Sequence, residues 1–342
     1  MRLFSVIVLT MIAIHSCAAN AQTRRTNVAD DARQRAIAAF EEGQTAQERG
    51  DHLSAVRAYS NAIAADATLF QAYYQRAVAY VSLNQDGEAE ADFRKVIELN
   101  PDFARARRGL GQLLLDAGKT EEAKRELARA LAGEPKLTGV RLYYASALLK
   151  TGDNALAAAT LQAAIAEGEA DVHTHALLGV ALERLHKKEE AFTSYSRALE
   201  MDASNPVARE GRGRLWEARG ELLKAIEDYS IAYRSVPSRD FALQLAQLHA
   251  RAKQAQAAIQ IYRGLLREKP EDFDVRAEMI RLMTENEQGE EAIKEVEKLV
   301  AAQPKNPKLL ALAGDLFFPA KPELAAPYYA RALAANAEDN RV

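Results

Sequence analysis

The chain has 342 residues, of which 48% are hydrophobic and 27% are charged, a balance typical of a folded protein. Its formal net charge of -3 gives no support to nucleic-acid binding as the main function. Gly and Pro number only 17 and 10, and no alternating run rich in Val, Ile and Thr is present. This composition predicts helices and essentially no β-sheet.

Residues 1–21 have the form of a secretory signal peptide. Arg2 precedes an apolar run of 12 residues from Leu3 to Ile14, and small residues follow as far as Ala21. This run is shorter than the ~20 residues that a membrane-spanning helix needs. We therefore expect cleavage after Ala21 and export to the periplasm of a bacterium.

An alternative lies in the same segment, because Ile14 to Cys17 resembles a bacterial lipoprotein box. His15 stands where that box usually has a small residue. Lipidation of Cys17 would make the protein an outer-membrane lipoprotein, and only then do we expect it to contact a membrane. Cys17 is the single cysteine, so disulfides contribute nothing to the fold.

Residues 22–35 are polar and are predicted to be a linker that merges into the first helix. A pattern with a period of 34 residues then begins, and it is clearest between Phe70 and Pro135. Each copy has a stripe on a first helix, a stripe on a second helix and a closing proline: Tyr73, Ala77, Tyr80, Ala89, Phe93, Val96 and Pro101, then Arg107, Gly111, Leu114, Ala123, Leu127, Ala130 and Pro135.

The same pattern predicts nine repeats over residues 36–337, with a short tail at 338–342. The predicted repeats are 36–69, 70–103, 104–137, 138–171, 172–205, 206–238, 239–272, 273–306 and 307–337. On each second helix an Ala, the residue four positions later and an Ala three further share one face. The aromatic residues at the middle position, Tyr59, Phe93, Tyr195 and Tyr229, are therefore predicted to lie in the core.

This arrangement of small residues, aromatic residues and closing prolines resembles the tetratricopeptide repeat family. The resemblance covers nearly all of residues 36–337. It implies an all-α fold, a right-handed α-solenoid of about nine helix pairs. It also implies that the first helices line a concave groove that accepts an extended peptide or a helix of a partner.

Carrying this groove over by register gives the candidate binding residues Phe40, Gln44, Tyr74, Val78, Arg105, Arg108, Gln112, His173, Glu210 and Arg214. Aromatic residues next to arginines suit a partner with acidic and apolar side chains. The alternative is a solvated helix face without a specific ligand. Relatives that grip a terminal carboxylate use a Lys and an Asn where Phe40 and Gln44 stand, so we do not expect that mode here.

The sequence predicts no catalytic site and no metal site. His173 and His175 are two residues apart, which points them to different faces of a helix, whereas helical zinc pairs are four apart. The chain has no G-x-S-x-G, no phosphate-binding glycine loop and no H-E-x-x-H. We expect no catalytic residue, no metal and no cofactor, and we do not expect an enzyme.

The last predicted helix departs from the family, which usually ends on a polar capping helix. Leu324 and Tyr328 are predicted to be exposed there and to dock to another subunit or to a second copy. Pro327 within this helix predicts a late start or a kink.

Together these observations predict a non-catalytic scaffold for protein–protein interaction in the bacterial envelope. Analogy suggests a partner in an envelope assembly or export complex. The alternative function is a chaperone-like periplasmic binder of exported chains.

Overall fold

The structure is a computed structural model and describes residues 31–318 and 322–339. The predicted signal peptide, Cys17 and linker residues 22–30 lie outside the described residues, as does the end of the predicted tail. Linker residues 31–35 form the start of the first helix. The described residues form eighteen helices and no strand, which confirms the predicted all-α class.

The chain divides into two compact units, the first ending at Ala170 and the second beginning at Asp171. The helices of the first unit are α1 (31–48), α2 (His52–Ala65), α3 (Phe70–Ser82), α4 (Asp86–Leu99), α5 (Ala104–Asp116), α6 (Thr120–Gly133), α7 (Val140–Thr151) and α8 (Asn154–Ala166). The helices of the second unit are α9 (Val172–Arg184), α10 (Lys188–Met201), α11 (Pro206–Ala218), α12 (Leu222–Ser235), α13 (Arg239–Arg251), α14 (Ala255–Glu268), α15 (Phe273–Glu285), α16 (Gly289–Ala302), α17 (Pro307–Phe317) and α18 (Pro322–Asp339).

Within each unit every helix packs against the helix that follows it. Odd-numbered helices are the first helices of the repeats, and even-numbered helices are the second helices. A lone pair of amphipathic helices buries only one face of each helix, so stacking on the next pair completes the core. The predicted architecture of stacked helix pairs is therefore confirmed in each unit.

The core is built from the residues that the repeat pattern selects. Tyr59, Phe93, Tyr195 and Tyr229 are at most 3% exposed, which confirms their prediction as core residues. Each ring lies against a small residue of a first helix: a Cβ added to Gly179 would come within 2.5 Å of the Tyr195 ring. Glycine is needed at that position because the helix backbone approaches the ring so closely.

The turns between first and second helices use left-handed backbone conformations. Gly118 has φ 73° and Gly152 has φ 86°, values that glycine adopts without strain. The equivalent turns at other repeats place a residue with a side chain there, at φ between 56° and 61°: Asn84, His186, Lys253 and Glu287. The turn geometry is thus kept where glycine is absent.

Buried ion pairs join first helices to second helices. Arg212 binds Asp228 through Nε at 2.8 Å, and Arg209 Nη1 contacts the same carboxylate at 2.5 Å. Arg76 makes the same contact with the buried Asp92 at 2.7 Å, at the same register in the first unit. These pairs satisfy carboxylates that would be costly to bury alone.

The late start predicted at Pro327 is wrong, and the alternative, a kink there, stays a prediction. Helix α18 begins at Pro322 and contains Pro327. Proline at that position removes one backbone hydrogen bond, the one to the Glu323 carbonyl, and the helix continues past it to Asp339. No helix in the described ranges is both long and apolar enough to cross a membrane.

Candidate functional site

The candidate residues of the first unit lie on three first helices. Helix α1 carries Phe40 and Gln44, α3 carries Tyr74 and Val78, and α5 carries Arg105, Arg108 and Gln112. Residues four apart share a helix face, and on this face Tyr74 and Val78 pack against the edge of the hydrophobic core. Gln44 and Arg105 are exposed, and the other five are half-buried. We call these seven residues the first-helix surface.

Aromatic packing holds part of this surface in place. The Tyr74 ring contacts Phe103 edge-on with centroids 5.0 Å apart, and it lies 6.0 Å from the core residue Phe93. Phe40 similarly packs on Tyr59 at 5.6 Å. Such contacts restrain the ring, so that the accessible part of Tyr74 has a defined position.

The two arginines of the surface have different surroundings. Arg108 Nη1 donates a hydrogen bond of 2.9 Å to the Thr138 carbonyl oxygen, so part of its guanidinium is used within the fold. Arg105 is exposed and forms no ion pair with any residue that the structure describes. It is two residues from Phe103, whose ring packs on Tyr74. An apolar contact point and a free cation therefore lie on neighbouring first helices.

In the second unit, α9 and α11 line an open cavity of about 550 Å³, a volume within the range of small-ligand sites. Its lining residues are Val180, Glu183, Arg184, Val207, Glu210 and Arg214. The structure thus brings together the predicted residues Glu210 and Arg214, which form an ion pair at 2.5 Å. The predicted residue His173 is exposed on α9 and does not line the cavity.

Arg214 is held by two carboxylates. Its Nε and Nη2 bind the two oxygens of Glu183, each at 3.0 Å. Burial alone would raise the pKa of Glu183, but hydrogen bonds from Arg214 and Tyr195 outweigh it and hold that pKa below its usual value. Glu183 is therefore ionised at neutral pH, and the cavity contains fixed charges of both signs.

Glu183, which lines this cavity and binds Arg214, is not among the residues that the repeat register predicts. A signal for it exists in the register: the Tyr195 hydroxyl binds Glu183, and the Tyr59 hydroxyl binds Gln47 at 2.8 Å. Both polar partners stand 12 residues before their tyrosine. In these two repeats a side-chain oxygen at that position accepts a hydrogen bond from the tyrosine hydroxyl, whereas Ala250 stands 12 residues before Tyr262.

The predicted docking residues at the end of the chain differ from each other. Leu324 is 43% exposed, as predicted. Tyr328 is half-buried, since its ring stacks on Phe317 with centroids 5.5 Å apart and planes 4° from parallel. Tyr328 therefore contributes less free surface than the sequence suggests.

No group of three or more His, Cys, Asp or Glu side chains in the described part of the chain is arranged to hold a metal ion.

Two curated relatives and one solved structure show what this chain is similar to. Co-chaperone DNJ1 of Cryptococcus neoformans, which has tetratricopeptide repeats and a J domain, is 36% identical over 78 residues, or 23% of this chain and 15% of the relative. Human DnaJ homolog subfamily C member 3 is 34% identical over 86 residues, or 25% of this chain and 17% of the relative. The matches thus span less than a fifth of these relatives.

A tetratricopeptide repeat protein from Parabacteroides merdae has a similar structure, with a TM-score of 0.54 and 12% identity. The match covers 73% of this chain and 99% of that protein, and it supports the fold alone.

Three family models, each described as Tetratricopeptide repeat, match this sequence. One matches residues 87–136, 114–180 and 242–316, the second matches 70–103 and the third matches 177–240. Together they cover most of the chain. The protein therefore belongs to the tetratricopeptide repeat family.

Proposed function

We propose that this protein is a non-catalytic scaffold that binds a protein partner through its first-helix surface. The observation that carries this proposal is the combination of Tyr74, restrained by Phe103 and Phe93, with the unpaired Arg105 close to Phe103. A restrained aromatic ring contributes contact area at little cost in conformational entropy. An arginine without a carboxylate partner offers a charge that a ligand can neutralise.

This combination favours a partner segment with apolar and acidic side chains, presented as an extended peptide or as a helix. Arg108 and Gln112 lie on the same helix as Arg105 and extend the polar part of the surface. In the second unit the cavity around Arg214 is a separate candidate contact surface, with charges of both signs.

We place the protein outside the cytoplasm of a bacterium. This part of the proposal rests on the sequence of residues 1–21, with its basic start, short apolar run and small residues before the expected cleavage. Lipidation at Cys17 is the alternative, and mass spectrometry of the mature protein distinguishes the two. A partner in an envelope assembly or export complex fits this location.

A pull-down from envelope fractions tests the binding surface. The tagged protein is expected to recover one or two partners in stoichiometric amounts. Tyr74→Ala and Arg105→Glu should each reduce recovery, because they remove the apolar contact and reverse the free charge. Arg57→Glu, an equal charge change at an exposed position of the second helix α2, serves as the control. Unchanged recovery with both substitutions would refute the assignment.

The alternative function is a chaperone-like binder of exported chains. It is favoured by the curated relative DNJ1, which is named as a co-chaperone and is matched over 78 residues. A chaperone would recover many proteins at low yield and would suppress aggregation of unrelated unfolded proteins. A scaffold would do neither.

We also propose that α18 docks to another subunit or to a second copy through Leu324. Leu324 is 43% exposed in the first turn of this helix. Light scattering should then show a mass that rises with concentration and that Leu324→Glu reduces. A monomer at all concentrations would refute self-association.

A further inference from the structure

A second cavity of the second unit lies between α14, α15 and α16. Its volume is about 300 Å³, at the lower end of the range for ligand sites. Three apolar side chains form its floor: Leu266, Met279 and Met283 are 8%, 4% and 3% exposed. Methionine side chains are flexible and polarizable, so such a floor adapts to the shape of an apolar group.

Two ion pairs form part of the rim. Arg276 Nη1 binds Glu295 at 2.5 Å, and Arg263 Nη2 lies 3.4 Å from Glu291. These four charges compensate each other. They contribute no net charge to the cavity.

A third arginine leaves the rim positive. Arg267, in the last turn of α14, is exposed and has no ion-pair partner among the residues that the structure describes. Its guanidinium lies along Gly264, because a Cβ added there would be 4.0 Å from Nη2. The cavity thus combines an apolar floor with one uncompensated cation at its edge.

The first unit contains the same two ion pairs, which we call the frame, without the methionine floor or the unpaired arginine. Arg94 binds Glu122 at 2.7 Å and Arg107 binds Glu126 at 2.5 Å, at the registers of Arg263, Glu291, Arg276 and Glu295. There the registers of Met279 and Met283 are occupied by Leu110 and Leu114.

The register of Arg267 in the first unit is occupied by Glu98, which pairs with Lys95 at 2.7 Å. The two ion pairs therefore belong to the general construction of the repeats. The methionine floor and the unpaired Arg267 distinguish the cavity of the second unit from this frame in the first unit.

We propose that this cavity binds a segment of a partner protein in which a large apolar side chain adjoins a carboxylate. The apolar side chain packs on Met279 and Met283, and the carboxylate accepts hydrogen bonds from the Arg267 guanidinium. Arginine suits this role because its planar group can bind both carboxylate oxygens. The site involves a second helix of one repeat and both helices of the next, so it does not depend on the first-helix surface.

Methyl NMR of the full-length protein tests this directly, because the chain has only five methionines. The probe is the peptide acetyl-Glu-Leu-Phe-Glu-amide, and acetyl-Lys-Leu-Phe-Lys-amide is the charge-reversed control. The acidic peptide should shift the ε-methyl signals of Met279 and Met283 to saturation. The signal of Met201, which is exposed on α10, should not move. The basic peptide should bind at least about tenfold more weakly.

Arg267→Glu should weaken binding of the acidic peptide at least about tenfold, as expected for the loss of a charged hydrogen-bonded pair. The matched control is Arg234→Glu, which makes the same charge change in the last turn of α12, at the same register. Thermal melting verifies that both variants fold.

Three results would overturn the proposal. One is the absence of shifts at Met279 and Met283 at millimolar acidic peptide. Another is equal binding of the acidic and basic peptides. The third is an equal loss of affinity in Arg234→Glu and Arg267→Glu, which would indicate general attraction to a positive surface.

Discussion

The hydroxyl group of Tyr195 donates a hydrogen bond of 2.7 Å to Oε2 of Glu183, and so connects the core of the second unit to the cavity between α9 and α11. The Tyr195 ring is packed between Gly179 of α9 and Gly211 of α11. Glu183 in turn fixes the guanidinium of Arg214. The residue that packs two repeats together therefore also sets the position of charges on the candidate binding surface.

Gly179→Ala should destabilise the second unit. The added Cβ would lie 2.5 Å from the Tyr195 ring, and overpacking of this kind costs about 1–3 kcal/mol. Urea unfolding followed by circular dichroism measures the change in the free energy of unfolding.

Gly264→Ala is the matched control, since its Cβ would meet no atom closer than 4.0 Å. Alanine is favoured over glycine within a helix by about 1 kcal/mol, so this variant should be more stable than the wild type. Shifts of the same sign in both variants would show that the close approach at Gly179 is not what requires glycine.

The turns with left-handed residues offer a second prediction. Glu287 has φ 61°, and this conformation costs about 1 kcal/mol for a residue with a side chain. Glu287→Gly should therefore raise the free energy of unfolding by up to about 1 kcal/mol, less the entropy that glycine loses on folding. Asn84 has φ 56°, but asparagine tolerates this region, so Asn84→Gly should gain less. The opposite order in thermal melts would contradict this explanation.

Stability should depend on pH through His175. This side chain is half-buried on α9, at the register where Arg107, Arg209 and Arg276 form their ion pairs. Burial lowers its pKa below the usual 6.5 and the charge of Arg197 adds to this, while Asp171 and Glu200 oppose it. Between the lowered pKa and 6.5 the unfolded chain binds a proton that the folded chain does not, so stability falls as the pH drops through this interval.

His175→Gln should remove this part of the pH dependence, measured as the change in urea midpoint between about pH 5 and about pH 8. His173→Gln, at an exposed position of the same helix, is the control. If His175→Gln loses as much stability on acidification as the wild type, other groups are responsible.

The sequence predicts the fold well because the residues that each repeat buries are set by their spacing within that repeat. Ala191 and Tyr195 share a helix face with Ala198, and all three are buried as that spacing requires. Contacts between side chains of different helices are less accessible from the sequence. Glu183 resembles any charged residue on a solvated helix, and only the packed structure brings it to Tyr195 and Arg214.

The structure also distinguishes two candidate binding residues, Arg108 and Arg105, by their hydrogen bonds. Arg108 was chosen by register, but its hydrogen bond to the Thr138 carbonyl is a long-range contact that no local pattern indicates. Arg105, chosen by the same register, is left free for a partner. Pro327 predicts a late start because proline disfavours helix interiors, yet α18 begins at Pro322 and continues through Pro327 to Asp339.

Site-specific photocrosslinking tests the central proposal, partner binding by the first-helix surface, most directly. A benzophenone amino acid is introduced at Gln44 and Gln112 on first helices, and at Arg57 and Ala91, exposed positions on second helices, as controls. We predict that the same partner is crosslinked from Gln44 and Gln112 and not from the controls, and that Tyr74→Ala combined with Arg105→Glu abolishes the crosslink. A partner captured equally from Arg57 or Ala91, or captured despite both substitutions, would contradict the proposal.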